Sequence, residues 1–291
     1  MLATLKEVLE KAEQGNYAVG AFNCTSLESG MAIVETAEEL NSPVILQYAD
    51  SHRHLISIDV IGPIMLQLAK IAKVPVVVHL DHGASIESCR HAVDMGFTSV
   101  MYDASAKPFE DNVAETRSVV EYAHERGASV EAELGHILTS KAGAAEGNGK
   151  SYTREEAYTD PEMAKEFIER TNVDALAIGF GTAHGIYTEK PVLDLNRIAL
   201  IKSAKDIPYV MHGGSGLSEE EYRTAIHNGI RKINYYTYLS LAGGGRGVMQ
   251  YLEDKKDKDA IYFEDIAKAG ITAMKADVKR AMKIFESDGK I

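Results

Sequence analysis

Tryptophan is absent from the 291 residues, and cysteine occurs only as Cys24 and Cys89. Two thiols exclude a disulfide framework and point to a reducing compartment such as the cytoplasm. Positive charge is also scarce. The 31 Lys and Arg against 43 Asp and Glu leave a net charge of -12. That excess argues against nucleic acid or an anionic membrane as the main partner. It is compatible with a phosphorylated small molecule, because backbone amides can cradle an anion inside an acidic protein. No stretch approaches the ~18 apolar residues needed to span a bilayer. The N-terminal MLATLKEVLEKAEQG patterns as a short amphipathic helix, without the apolar core and cleavage site of a signal peptide.

What is present has the balance of a soluble globular protein, 45% hydrophobic and 25% charged. The length suits one α/β barrel, and residues 1–291 are expected to form a single domain. Short apolar runs alternate with longer helical patterns. The expected strands are Tyr17 to Asn23, Pro43 to Ala49, Pro75 to His82, Ser99 to Asp103, Ser129 to Leu134, Ala175 to Phe180, Pro208 to Gly213 and Arg231 to Tyr236. Helix signals lie between them. Ser26 caps SLESGMAIVETAEELN, SIESCRHAVDMG and SEEEYRTAIHNG run from a Ser to a Gly, and Asp160 precedes Pro161 at a first helical position. In IDVIGPIMLQLAKIAK, Gly62 and Pro63 are expected to delay or kink the helix.

Strict alternation implies a parallel sheet with right-handed crossovers. Eight units favour closure into a (β/α)8 TIM barrel over a doubly wound open sheet. GAFNCTS follows the first strand where an open dinucleotide-binding sheet would carry a Gly-rich fingerprint. Two segments stand outside the repeat. His136 to Tyr158 is a long Gly- and polar-rich loop, a length usually kept for function. Phe263 to Phe285 is one amphipathic helix, expected on the barrel wall or on a neighbouring subunit.

Barrel strands of this kind deliver their C-terminal ends to the active site. Those ends are HLDHG, EAELG, GFGTAHG, MHGGSG and KINYYT. His82, His184 and His212 fall at three of them. Singly, each patterns as a hydrogen-bonded barrel residue. Together on one rim, each beside a glycine, they suit a catalytic metal with one open position. Asp81 either caps the helix starting near Ser85 or serves as general base beside that metal. Glu133 and Glu131 share one strand face, Glu133 nearer the metal and Glu131 deeper. Gly213, Gly214, Ser215 and Gly216, with Asn234 and Thr237, occupy the usual phosphate-binding loops of such barrels.

HLDHG, VEAELG, GTAHGIY, HGGSGL and GIRKIN, in this order, resemble the class II, zinc-dependent fructose- or tagatose-bisphosphate aldolases. The resemblance runs from GAFN to the final helix. It implies a homodimer or homotetramer in which Zn2+ polarises the ketose carbonyl and stabilises an enediolate. By motif, His82, His184 and His212 are similar to the zinc ligands, and Asp81 to the acid/base at the C4 hydroxyl. Glu133 is similar to a residue near an alternative metal position. Asn23 resembles a residue holding substrate hydroxyls. Gly185, Gly213, Ser215, Asn234 and Thr237 resemble contacts to the dihydroxyacetone-phosphate half. Gly181 and Gly213 fall where the family often binds a monovalent cation, Na+ or K+. Glu146, in the loop after the fifth strand, is the candidate proton donor to the enediolate.

The departures from the family pattern lie on the acceptor side. Tyr236 stands where a small or acidic residue is common. AIYFEDIAKAGITAMK offers Lys268 in place of an arginine for a distal phosphate, and YADSHRHL brings Arg53. The leading reading is therefore an aldolase yielding dihydroxyacetone phosphate and an altered aldehyde. The alternatives are an ordinary bisphosphate aldolase using Lys268 or Arg53, an aldolase for another phosphorylated keto sugar or keto acid, and a non-catalytic partner subunit.

Overall fold

The computed structural model describes residues 1–139, 153–187, 189–255 and 260–291. Its strands, in chain order, are β1 (Leu2–Ala3), β2 (Val19–Asn23), β3 (Val44–Ala49), β4 (Val76–Gly83), β5 (Ser99–Tyr102), β6 (Ser129–Leu134), β7 (Leu138–Thr139), β8 (Ala175–Ile178), β9 (Ala183–His184), β10 (Tyr209–Met211) and β11 (Ile230–Tyr235). Eight of them pair in parallel and close on themselves. The order is β2, β3, β4, β5, β6, β8, β10, β11 and back to β2, a TIM barrel. All eight expected strands are present, with no end shifted by more than two residues. β10 stops at Met211, so His212 and Gly213 lie just beyond it.

The barrel interior has two levels, because inward positions recur every second residue. The lower level is apolar. Val19, Ala21, Ile45, Val77, Ala175, Ala177 and Val210 pack with Leu5, Val8, Leu9 and Ala12 of the helix Leu5–Gly15. That helix starts at a Thr4–Glu7 capping box and closes the floor. Further along the barrel strands the inward residues turn polar: Gln47, His79 and Asp81, Glu131 and Glu133, Lys232 and Asn234, all buried. Outward residues such as Leu46, Val78, Val100, Val130, Leu176 and Ile233 join the helices in the main core.

Helix boundaries follow local chemistry. Ser26, Ser85 and Ser218 each cap a helix through the backbone N–H of the residue three positions on, and Gly96 and Gly229 end two of them. The expectation that Gly62 and Pro63 delay the start of their helix is corrected. Ser57 caps a helix that starts at Ile58 and passes through Pro63 to Ile71. Three further helices, Phe109–His124, Pro161–Thr171 and Leu195–Ala204, complete the wall. The last helix, Phe263–Ile284, packs on Leu27–Leu40, and its Asp277 accepts from Tyr235 Oη at 3.0 Å. Among the described residues no helix is long and apolar enough to cross a membrane.

Candidate active site

The polar level opens at the C-terminal end of the barrel into a cavity of about 800 Å³. Asn23, Asp81, His82, His184, Gly185, Gly213, Ser215, Asn234 and Thr237 all line it. Asp81 and His82 are chain neighbours, which an extended strand would send to opposite faces. His82 has φ +47°, in the left-handed region that side chains rarely adopt, and this turn brings both to the cavity.

The three histidines converge. Their ring centroids lie 5.3 Å (His82–His184), 4.6 Å (His82–His212) and 5.9 Å (His184–His212) apart, and one nitrogen from each falls within 4.8 Å of the others. Carboxylates orient two of the rings. His82 Nδ1 donates to Asp103 Oδ2 at 2.8 Å, and His212 Nε2 donates to Glu131 Oε1 at 2.9 Å. An ionised carboxylate only accepts, so these bonds fix both tautomers. The remaining nitrogens, His82 Nε2 and His212 Nδ1, face each other at 2.9 Å. Such a donor set fits a cation. A second group, His82, Asp103 and Glu133, also brings its ligand atoms within 4.8 Å.

The electrostatics follow from burial and neighbours. Burial opposes charge on His82, but Asp81, Asp103 and Glu133 outweigh it and lift the imidazole well above its usual value. Burial, with His82 beside it, pushes His212 well below. Burial would raise Asp81; His82, His212 and Lys232 overcome it and hold the carboxyl low. Asp81 caps nothing. Its Oδ1 accepts from Asn234 Nδ2 at 2.9 Å and its Oδ2 from Gln47 Nε2 at 3.2 Å, while Ser85 caps the following helix through Ser88.

The glycine loop is pinned from behind. Tyr187 Oη accepts from Ala183 N at 2.9 Å and donates to Gly213 O at 2.7 Å. Gly213, at φ +63°, lies so close to Ala183 that a Cβ there would meet its carbonyl carbon at 2.5 Å. Gly181 is not on the cavity wall; a Cβ on it would meet Val192 O at 2.3 Å. His52, Arg53 and Tyr236 also line the cavity, with the His52 and Tyr236 rings 4.6 Å apart. Arg53 Nη2 donates to Asp50 Oδ1 at 2.6 Å. Lys268 is exposed and does not line this cavity, so Arg53 is the basic residue of the two that faces it. Glu146 lies outside the described residues.

Sequence reasoning missed Asp103, Gln47 and Lys232, and left Glu131 between a structural and a functional role. Asp103 could have been found as the acidic end of the expected strand Ser99 to Asp103. Lys232 sits inside GIRKIN, where a lysine on an inward position of an apolar strand is itself a signal for a buried partner.

The family model for class-II fructose-bisphosphate aldolase matches residues 3–290. A fructose-bisphosphate aldolase of Geobacillus stearothermophilus is 41% identical over 292 residues, 99% of this chain and 98% of that one. The protein YdjI of Escherichia coli K12 is 36% identical over 294 residues, 100% of this chain and 99% of its own. The crystal structure of the YdjI aldolase matches with a TM-score of 0.85 at 34% identity, over 100% of this chain and 99% of that one. A Campylobacter jejuni fructose-bisphosphate aldolase structure, at 23% identity and TM-score 0.82, supports the fold alone. With its barrel, its converging histidines and a match that runs nearly end to end, the chain belongs to the class-II fructose-bisphosphate aldolase family of carbon–carbon lyases.

Proposed function

We propose that the enzyme reversibly cleaves a ketose 1-phosphate into dihydroxyacetone phosphate and an aldehyde. Fructose and tagatose 1,6-bisphosphates are the reference substrates, with relatives lacking the second phosphate weighed beside them. The observation that carries this reading is the convergence of His82, His184 and His212 beside the ionised Asp81. Those three histidines would hold Zn2+, which supplies a Lewis acid for the ketose carbonyl.

The chain's own residues do the rest. Asp81, held by Asn234 and Gln47, accepts the proton of the C4 hydroxyl. As the C3–C4 bond breaks, C4 becomes the aldehyde carbonyl and the electron pair passes to the C3 side. Glu146 returns a proton to C3, completing dihydroxyacetone phosphate. Gly185, Gly213, Ser215 and Thr237 present amides and hydroxyls to the phosphate, and Asn23 holds a hydroxyl of the sugar. Glu133, with His82 and Asp103, belongs to the alternative group of metal ligands. A monovalent cation, Na+ or K+, near Gly181 and Gly213 and an assembly of two or four like chains belong to the same reading.

The acceptor wall supports an aldehyde other than glyceraldehyde 3-phosphate. Tyr236 fills part of it with an aromatic ring, and the charge of Arg53 is already matched by Asp50. The test is a screen of metal-replete protein against fructose and tagatose 1-phosphates and 1,6-bisphosphates, with dihydroxyacetone phosphate as the measured product. Absence of that product from all four would overturn the substrate class.

A further inference from the structure

Lys232 is wholly buried in the polar level of the barrel. Its ammonium forms an ion pair with Glu131 Oε2 at 2.8 Å and donates a hydrogen bond to Asn234 Oδ1 at 2.7 Å. An ammonium offers only donors, so the oxygen of the Asn234 amide has to face it. The amide nitrogen is thereby turned toward Asp81 Oδ1, at 2.9 Å. A flipped amide would set its NH2 against the ammonium and its carbonyl against the carboxylate, two repulsions in place of two bonds.

The same cation matches Glu131, whose other oxygen receives the His212 proton. His79 lies on the far side, with Nε2 3.6 Å from Glu131 Oε2. A chain of buried polar contacts therefore runs from Asp81 through Asn234, Lys232 and Glu131 to His212. Lys232 does not reach the cavity wall, so it cannot touch substrate.

We infer that Lys232 is a positioning residue of the aldol reaction, fixing the Asn234 amide so that Asp81 is aimed as an ionised proton acceptor. The inference rests on the proposed role of Asp81 as base. Loss of the lysine frees the amide to rotate and lets Asp81 turn away from the C4 hydroxyl, a defect in turnover rather than in substrate binding.

Lys232→Met alone would strand the Glu131 carboxylate in the interior, so the test pairs it with Glu131→Gln, whose oxygen can still accept from His212. Full-length zinc-loaded enzyme is assayed on the best of the four ketose phosphates, beside Glu131→Gln alone. Relative to that single variant, the pair should keep its zinc and its KM while kcat falls about 10- to 100-fold, the range for an outer partner of a catalytic group. Adding the pair to Asn234→Ala should then cost little more, because both changes break one contact chain. Unchanged kcat, loss of zinc, or effects that multiply in full would each overturn the proposal. Should the pair fail to fold, Asn234→Asp leaves Lys232 matched and replaces the donor to Asp81 with an acceptor. Full turnover in that variant would also overturn it. Asp81→Ala, run alongside, separates the two ideas: if it retains turnover the base assignment fails, whatever the coupling between positions 232 and 234.

Discussion

His82 Nε2 and His212 Nδ1 face each other across 2.9 Å, while the far nitrogen of each ring donates to a carboxylate, Asp103 for His82 and Glu131 for His212. Two lone pairs repel at that distance, so a proton or a cation has to lie between them. A proton there would rest on His82, which Asp81, Asp103 and Glu133 raise well above its usual value against the effect of burial, whereas His212 is lowered.

A titration follows from this pair. The direction of the His82 shift predicts a protonated imidazole at pH 7 without metal, and a metal ligand must be neutral. Loading zinc at neutral pH should therefore release about one proton from this site. Calorimetry in two buffers of different ionisation enthalpy measures the number. A heat independent of the buffer would mean that His82 is already neutral, and the shared proton would have to be abandoned.

His184→Ala should lose bound zinc and activity together, because the two histidines left behind hold the ion poorly. Metal content and turnover are measured on the same preparation. Full activity in thoroughly chelated wild-type protein would remove metal from the mechanism altogether.

Asp81→Ala should cut turnover by ~10² or more, the usual cost of losing a general base. Zinc should stay bound, and proton exchange at the reacting carbon of dihydroxyacetone phosphate should persist, since that exchange does not involve the C4 hydroxyl. If metal is lost with the carboxylate, Asp81 is orienting a ligand instead.

The strands and most helix ends were legible because they are written locally, in apolar runs and in Ser-to-Gly punctuation. Phe109–His124 and Leu195–Ala204 lacked that punctuation. Pro108 makes no side-chain cap, and the helices end at Glu125 and Lys205 rather than at glycine. Pro63 suggested a delayed or kinked start, yet the helix begins at Ile58 and the missing N–H costs one bond inside a well-capped element. The three histidines were legible from strand-end spacing. Gln47, Asp103 and Lys232 were not, since their partners Asp81, His82 and Glu131 come from other strands, and only barrel closure brings them together.

The acceptor wall yields the prediction that bears most directly on the substrate. A distal phosphate is best recognised by a free arginine fork, and lysine is a weaker substitute. Here Lys268 is off the cavity, and Arg53 is held at 2.6 Å by Asp50, whose other oxygen accepts from Ala84 N at 3.0 Å. Tyr236, tilted against His52 at 4.6 Å, adds an apolar face that suits a less charged aldehyde. The advantage of bisphosphorylated over monophosphorylated ketoses should therefore be small, with kcat/KM for fructose 1-phosphate near or above that for the 1,6-bisphosphate. The tagatose pair controls for C4 configuration. Asp50→Asn, which leaves the Arg53 charge unmatched, should shift the ratio toward the bisphosphates. A bisphosphate preference of ~10³ in either wild-type pair, roughly 4 kcal/mol of transition-state binding, would show a strong second phosphate site. Arg53 would then be the first residue to replace, and the altered-acceptor reading would be dropped.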